Sequence, residues 1–586
     1  MTTRSTFLRL LPCVLGTLPL ACGTSHDASG TGTGPDAGTG SAALDGSTAL
    51  SQDGSAPPLG GSGDGSSPAS GVDAGDAGDP CPIYQQECGG SCIPVVDDPN
   101  NCGGCGVTCT GAEVCSGGAC SASCLPLLTA CAQSCVDTNT DNANCGTCGN
   151  VCAAGQGCSN GTCVASVTLG DAGAACVGGG PPIAVPVGST SECTGLLAQT
   201  TFTWALCSCT DITFSASVLT DGYNSGAGPF VPGGLGGGVG LNGKFAASVP
   251  TIDIGGTLWE ASDAGMSQEA ETLVHQELHV GGPLYGAALT VNGDAHVTGN
   301  VSGPPGDPSD AGAHLAIGGS LFLGPGATAS GDVTYTGPLQ SDPNPVTAPC
   351  DCAHPIPVAD IAKAGATNND NASIGLDPGL LSSLSTPGRV DLPCGVFYFD
   401  AMKLTGPLTI VAHGHTVILV GGDLFTTSPL EMTVDPTATL DVFIAGTISS
   451  SNHLVFGNPS FPALERLYVG TPLGIPFTGD VTLAANLYAA ASNLVSWSST
   501  ADIYGSLIVG NFISSQPTKI HYDLGVLTAG EACSDGGAPP PPASCTTCTD
   551  CGNQACVGGQ CGACTSSAQC CAPLECSNGV CVAVPK

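Results

Sequence analysis

The sequence predicts a mainly β protein: an irregular right-handed β-solenoid-like domain flanked by small disulfide-rich modules. Three observations carry that reading. Sixteen cysteines between Cys81 and Cys163 fall into two sets of eight with identical steps of 7, 4, 10, 3, 4, 6 and 5 residues, a tandem repeat with a period of 43. Residues 166–536 are rich in Val, Ile, Leu, Thr and Gly, in short alternating runs that stop at Gly, Asn, Asp or Pro, which reads as strands and turns. Ten further cysteines crowd the last 42 residues behind a proline-rich linker. Modules too small for a large apolar core take their stability from cross-links, and cross-links of this density belong outside the cytosol.

Residues 1–21 read as a signal peptide. Arg4 and Arg9 are basic, and the apolar run from Leu10 to Leu20 is too short to span a bilayer. The stretch Leu18-Pro19-Leu20-Ala21-Cys22 resembles a bacterial lipoprotein signal, with Pro19 departing from the usual Leu. The resemblance implies a lipid on Cys22 and, because Gly23 rather than Asp follows, an outer-membrane address. Residues 22–80 are Gly, Ser, Ala, Asp, Thr and Pro with almost nothing to bury, so they should form a disordered tether. As a flexible coil they span about 40–45 Å root-mean-square.

Charge narrows the function classes. Forty-seven acidic residues face nine basic ones, a formal net charge of −38, and no Lys or Arg occurs between Arg9 and Lys244. A nucleic-acid partner requires phosphate neutralisation and is not expected. Direct docking on anionic lipid is not expected either, so any membrane contact should run through an N-terminal lipid.

The first cysteine repeat, 81–123, holds Cys81, Cys88, Cys92, Cys102, Cys105, Cys109, Cys115 and Cys120. The second, 124–165, holds Cys124, Cys131, Cys135, Cys145, Cys148, Cys152, Cys158 and Cys163. Each centres on Asn-Cys-Gly-x-Cys-Gly, at 101–106 and 144–149, where glycines allow tight turns and Asp98, Asn101, Asp141 and Asn144 cap them. The module resembles the CG-x-CG cysteine repeats of bacterial surface proteins. Without Cys13 and Cys22, 34 cysteines remain, an even number in every segment, as closed disulfide sets require.

The β-rich domain, 166–536, carries Cys176, Cys193, Cys207, Cys209, Cys350, Cys352, Cys394 and Cys533. One pattern recurs at Leu289 to Val297, Leu315 to Leu323 and Ile418 to Phe425: a short strand, a Gly corner and a second strand. Rungs of a solenoid look like this, because each buries its inward side chains only by stacking on its neighbours. A β-sandwich is the alternative. The segments Leu392 to Asp400, Val417 to Phe425, Phe477 to Leu483, Tyr488-Ala-Ala, Tyr504 to Gly510 and His521-Tyr522-Asp523 resemble, in that order, the DUF7305 type of β-helical envelope domain over 390–525. That resemblance implies a fold and an envelope address, and no activity.

Residues 537–544 form a stiff Pro-rich linker. The final module, 545–586, holds Cys545, Cys548, Cys551, Cys556, Cys561, Cys564, Cys570, Cys571, Cys576 and Cys581. Its spacing resembles small knotted domains of the Dickkopf N-terminal kind.

Candidate chemistry is sparse. The Cys-x2-Cys pairs have zinc-ligand spacing, but even counts and export favour disulfides. Asp137, Asn139 and Asp141 have the oxygen spacing of a calcium loop, which the first repeat lacks because Pro94 and Val96 replace the first two. His275, Glu277 and His279 would share one face of a single strand, opposite Val274, Leu278 and Val280, and could ligate a metal. An outward polar face is the simpler account, and His413 and His415 read as solvent-facing in the same way. No cofactor is expected: a solvated turn is the simpler account of Asp137, Asn139 and Asp141, with calcium the alternative there. With no P-loop, and with helical periodicity too scarce to set a G-x-S-x-G or Gly-rich string on the strand-to-helix turn that a serine elbow or dinucleotide site needs, the chain reads as a non-enzymatic surface protein, structural or adhesive, with a surface polysaccharide or protein as partner. The alternatives are a carbohydrate-active β-helix such as a polysaccharide lyase, built on Lys244, Lys363, Arg389, Lys403, Arg466 and Lys519, or partner or protease binding by the C-terminal module.

Overall fold

A computed structural model describes residues 85–533 except 90, 126, 168, 170–179, 227–229, 248–250, 305–313, 437, 480 and 531–532, and adds the strands within 555–562 and 574–583. The signal peptide, Cys22, the tether, Cys81, Cys176, the Pro-rich linker and most of the C-terminal module lie outside the described residues.

Residues 206–523 wind into a β-solenoid of three-strand rungs. The first rung is Leu206–Ser208, Ile212–Phe214 and Val218–Tyr223. Its three strands enter three walls. Two walls are 13-stranded sheets, here the spine and the back, and the third is a side wall of an 8-stranded and a 4-stranded sheet. Every ladder in these walls is parallel, from Leu206↔Val239 to Tyr504↔His521, which excludes the sandwich alternative. Strands of three residues suffice because the two end positions point inward. Leu258 and Glu260, and Leu289 and Val291, are almost wholly buried, while Trp259 and Thr290 between them are only partly so. Gly and Asn at the corners supply the bends. The recurring sequence pattern marks two different corners: Leu289–Val291 to Ala295–Val297 turns from back to spine, whereas His415–Val420 to Leu424–Thr426 turns from spine to side.

The order of rungs along the rod is not the order of the chain. The first rung lies in the middle, paired on one side with Val239–Leu241 and on the other with Leu507–Val509 of the last rung. From there the chain builds one half-stack outward to Leu339–Ser341. It then crosses to the far end at Gly388–Leu392 and stacks back to the middle. Both halves advance in the same direction, so the rod is a circular permutation of a continuous solenoid.

The crossing segment, 342–387, must run the length of a rod whose 13 strands stand about 4.8 Å apart, about 58 Å in all. It does so as a strap over the spine wall. Asp342 meets His296, the Thr347 carbonyl accepts from Trp259 Nε1 at 2.7 Å, and the Ile356 amide donates to the Tyr488 hydroxyl at 2.9 Å. Helix Val358–Ala364 then covers Thr439–Ile444 and His415–Val420. Disulfides Cys207–Cys350 and Cys209–Cys352 pin the strap to the first rung, and Cys193–Cys533 ties the entry of the solenoid to its exit.

The far end is closed. Asp370 and Asn371 exchange hydrogen bonds with Val396 and Tyr398, Leu381 and Leu384 do so with Lys403 and Thr405, and Val167 donates to the Arg389 carbonyl. Ile374, Leu376 and Leu381 sit buried there as an apolar plug.

Both cysteine repeats have one disulfide topology. Numbering the cysteines within a repeat, the second joins 1–3, 2–5, 4–7 and 6–8: Cys124–Cys135, Cys131–Cys148, Cys145–Cys158 and Cys152–Cys163. The first shows the same 2–5, 4–7 and 6–8 pairs, Cys88–Cys105, Cys102–Cys115 and Cys109–Cys120. The capping turns repeat as well: Asn101 and Asn144 each donate to Asp98 and Asp141 at 2.8 Å and accept from Gly106 and Gly149 at 2.8 Å.

Candidate functional site

The most concentrated polar chemistry lies at the seam where the last rung meets the first. Strand Thr518–Asp523 pairs along its whole length with Val218–Tyr223. Its final three residues each reach across. His521 Nδ1 meets Asp221 at 2.7 Å, and Nε2 meets Asp502 at 2.9 Å. The Tyr522 hydroxyl donates to the Phe202 carbonyl at 2.7 Å. Asp523 accepts from the Ser225 amide and hydroxyl, the Gly525 amide and the Ala463 amide. Phe230 closes over the His521 ring at 4.5 Å between centroids. Burial alone would lower the His521 pKa, but the two carboxylates facing its two nitrogens outweigh it and raise the pKa. Burial raises the Asp523 carboxyl, against the pull of its hydrogen bonds. All three side chains of His-Tyr-Asp are thus spent on joining rungs, which the sequence resemblance did not indicate.

The spine wall carries a second array. One outward column runs through Trp259, His279, His296 and Phe322, in register on successive rungs. Their rings stack at 3.8, 4.7 and 4.3 Å with interplanar angles of 12°, 3° and 1°. Trp204 continues the column over Gly240, where a Cβ would stand 3.2 Å from its ring. The strap roofs this column.

The metal candidates of the sequence separate here. His275 is not on the strand of His279. The chain turns a corner between Glu271–Val274 and Leu278–Val280, and His275 points instead to Asp253 at 2.8 Å. Glu277 and His279 do meet, at 3.0 Å, and the structure adds His296 from the next rung. Adjacency of His279 and His296 comes from rung register, which single-strand alternation cannot reveal. Parallel stacked rings direct their in-plane lone pairs along parallel lines, so a shared ion would require one ring to leave the stack. Burial keeps the His279 pKa low, and the bond from His279 lowers that of Glu277.

The calcium-loop candidates also part. Asp137 accepts from the Asn139 amide at 2.9 Å and Asp141 from the Ala143 amide at 2.7 Å, as turn caps. Asp137 also faces Glu431 on the back wall of the rod. Burial, and then the Asp137 charge, push Glu431 well above the ordinary carboxylate range.

That contact belongs to an interface through which the second repeat sits on the back wall, over the in-register column Arg389, Thr409 and Glu431. Buried Arg389 donates to the Thr140 and Cys158 carbonyls and pairs with Asp391 at 2.9 Å. Thr409 bonds Ser159 at 2.9 Å. Gly157 is required here, because a Cβ would stand 2.3 Å from Arg389 Cδ. The first repeat has Val114 at that position and uses this edge to pair with Ser134 of the second repeat. His413 and His415, expected to face solvent, are engaged: His413 bridges Asp391 and Asp435, and His415 bonds Thr439. Two carboxylate bonds raise His413 to about 9.

The remaining basic residues lie apart. Arg466 is buried in a two-point pair with Asp441 at 2.7 and 2.6 Å. Lys363 is on a helix, Lys403 on the side wall, Lys519 on the back wall, and Lys244 at a corner.

Two family models match parts of the chain. Residues 357–526 match the domain of unknown function DUF7305, and residues 116–168 match the stigma-specific STIG1-like protein family. The first match starts at the strap helix, earlier than position 390, and takes in the whole returning half-stack. It therefore contains His521, Tyr522 and Asp523 with the partners Asp502, Ala463 and Gly525, but not the first-half partners Asp221, Phe202 and Ser225. No curated protein and no solved structure matches the chain.

Proposed function

We propose that this chain is an exported, non-enzymatic envelope protein, structural or adhesive, held to a membrane by lipid on Cys22 and presenting cysteine modules on a stiff β-solenoid rod. The observation that carries the reading is the bracing. A strap runs the rod's length, is cross-linked at its centre, and is joined by a third disulfide across the entry and exit. Side chains that could do acid–base work, His521, Asp523, Arg389 and Arg466, are engaged in joining rungs and modules. Disulfides at this density fit an oxidising, external setting. No helix of the described residues is long and apolar enough to cross a membrane.

The test is metabolic labelling with an alkyne fatty acid in wild type and Cys22→Ser, followed by fractionation and by binding of purified protein to surface polysaccharide. Labelling lost in the variant, with protein moving to the medium, supports the tethered reading. Label retained in the variant would overturn it.

A further inference from the structure

The two ends of the rod differ. At the far end Ile374, Leu376 and Leu381 plug the lumen, and backbone from three segments pairs with all three edge strands. The other end stops at Ala329–Ser330, Val333–Tyr335 and Leu339–Ser341. Among the described residues, each of these pairs on one side only, with the preceding rung. The Leu315 amide bonds the Asp332 carbonyl and the Thr336 amide bonds the Ile317 carbonyl. By the alternation of a parallel ladder, the Tyr335 amide and carbonyl then face away from the rod.

The lumen is open there too. Ile317 and Leu321 are 2% and 0% exposed, yet their register partners one rung on, Tyr335 and Leu339, are 39% and 49% exposed. These are core positions lacking the next rung. A stacked-repeat protein normally ends in a polar cap, and an edge strand is normally blunted by charge. Here a chain of net charge −38 places a single charged residue, Asp332, within 329–341.

We propose that this end binds the same end of a second copy, stacking lumen on lumen to give an end-to-end dimer. Identical edges related by a two-fold axis meet antiparallel, and near-neutrality lets two acidic chains approach. The closed far end stops growth at two, so no fibre forms. The inference is independent of the envelope reading, since a monomeric rod could still be lipid-tethered.

The test is sedimentation velocity of the full, secreted, oxidised chain over a wide range reaching micromolar concentration. A twofold mass that dissociates on dilution is expected. Tyr335→Lys with Leu339→Lys should leave monomer at every concentration, with unchanged circular dichroism. If that pair disturbs folding, Leu339→Gln should still weaken association at least tenfold. A wild type that stays monomeric overturns the proposal, as does a dimer insensitive to all three substitutions. Dimerisation only after removal of 534–586 would also overturn it, because the C-terminal module would then be the cap.

Discussion

His521 and Asp221 stand 300 residues apart in sequence and 2.7 Å apart in the structure, on the last and first rungs of the solenoid. Both are buried, and Asp502 supplies the second carboxylate. Removing the ring leaves the buried Asp221 side chain without its 2.7 Å hydrogen-bond partner, which costs about 1–3 kcal/mol. His521→Ala should lower the urea midpoint of the oxidised protein accordingly. Asp221→Asn, which keeps a hydrogen-bonding group, should cost less. A His521→Ala protein as stable as wild type would mean that the seam is held by its ladders alone.

The disulfide topology extends to cysteines beyond the described side chains. Cys124–Cys135 is the 1–3 bond of the second repeat, so the 43-residue period predicts Cys81–Cys92 in the first. Cys394 is disulfide-bonded, and the other six cysteines from Cys193 to Cys533 pair among themselves, so if the β-rich domain closes its own disulfides the predicted partner is Cys176, its one remaining cysteine. Peptide mapping without reduction should recover both linked pairs. A free thiol at Cys176 would contradict the second.

The solenoid was legible because its signals are local: three-residue strands, Gly corners and apolar residues at alternate positions. The cysteine repeats were legible because spacing survives where other residues drift. Permuted rung order was not legible, since nothing near Leu206 says that its second neighbour is Leu507. The site suffered the same way. His521 was visible as part of a motif, but its partner Asp221 lies in another half-stack, and the His279–His296 stack depends on rung register. Gly157 against Val114 was a readable signal for the docked face of the second repeat, though only once a Cβ clash with Arg389 gave it meaning.

Stability should fall as the pH rises, for two reasons of one sign. His413 is raised from 6.5 to about 9 by its two carboxylate partners, and Glu260 is raised from 4.5 to about 8 chiefly by burial. In each case the folded state keeps a proton that the unfolded chain releases, so stability is lost as pH rises towards the folded value. The melting temperature should therefore decline from about pH 4.5 to 9, the Glu260 part between about 4.5 and 8 and the His413 part between about 6.5 and 9. Glu260→Gln, which cannot ionise, should flatten part of that decline and melt higher than wild type at pH 8. An unchanged profile in Glu260→Gln would show that its carboxyl is not what titrates.

Arg389 holds the second repeat to the rod through two carbonyls, Thr140 and Cys158, that no other described side chain reaches with charge. Arg389→Ala removes those bonds and unpairs Asp391 from its guanidinium. Charge-assisted bonds of this kind contribute about 1.5–3 kcal/mol each. Hydrogen exchange in 137–159 should rise severalfold while amides in 439–469 keep their protection. Gly157→Val, which fills the same space from the other side, should produce the same pattern. Equal protection in both variants and wild type would place the docking energy elsewhere, with Thr409 and Glu431 the next residues to change.

The permuted order makes a last prediction about the rod as a whole. Leu206 pairs with Leu507 in the same parallel register by which any rung meets its neighbour, and both half-stacks advance in one direction. Cys193 and Cys533 have Cα atoms 5.5 Å apart, so a short linker can join exit to entry in their place. His354, with its side chain 87% exposed, lies in the strap between Cys352 and Ile356, where the chain can be opened. A permutant running 355–533, linker, 193–353 would read its rungs in spatial order. Nearby ends and an exposed opening are the conditions under which permutation succeeds. It should match the 180–533 fragment in circular dichroism, melt within a few degrees of it, and still form Cys207–Cys350 and Cys209–Cys352. Sequential stacking also lowers the sequence separation of the seam contacts, so the permutant should refold faster from urea, with its disulfides intact, than the natural order. A permutant that collapses without those two bonds would show that the strap must be continuous for the halves to meet, and that the seam is a docked interface rather than one more rung.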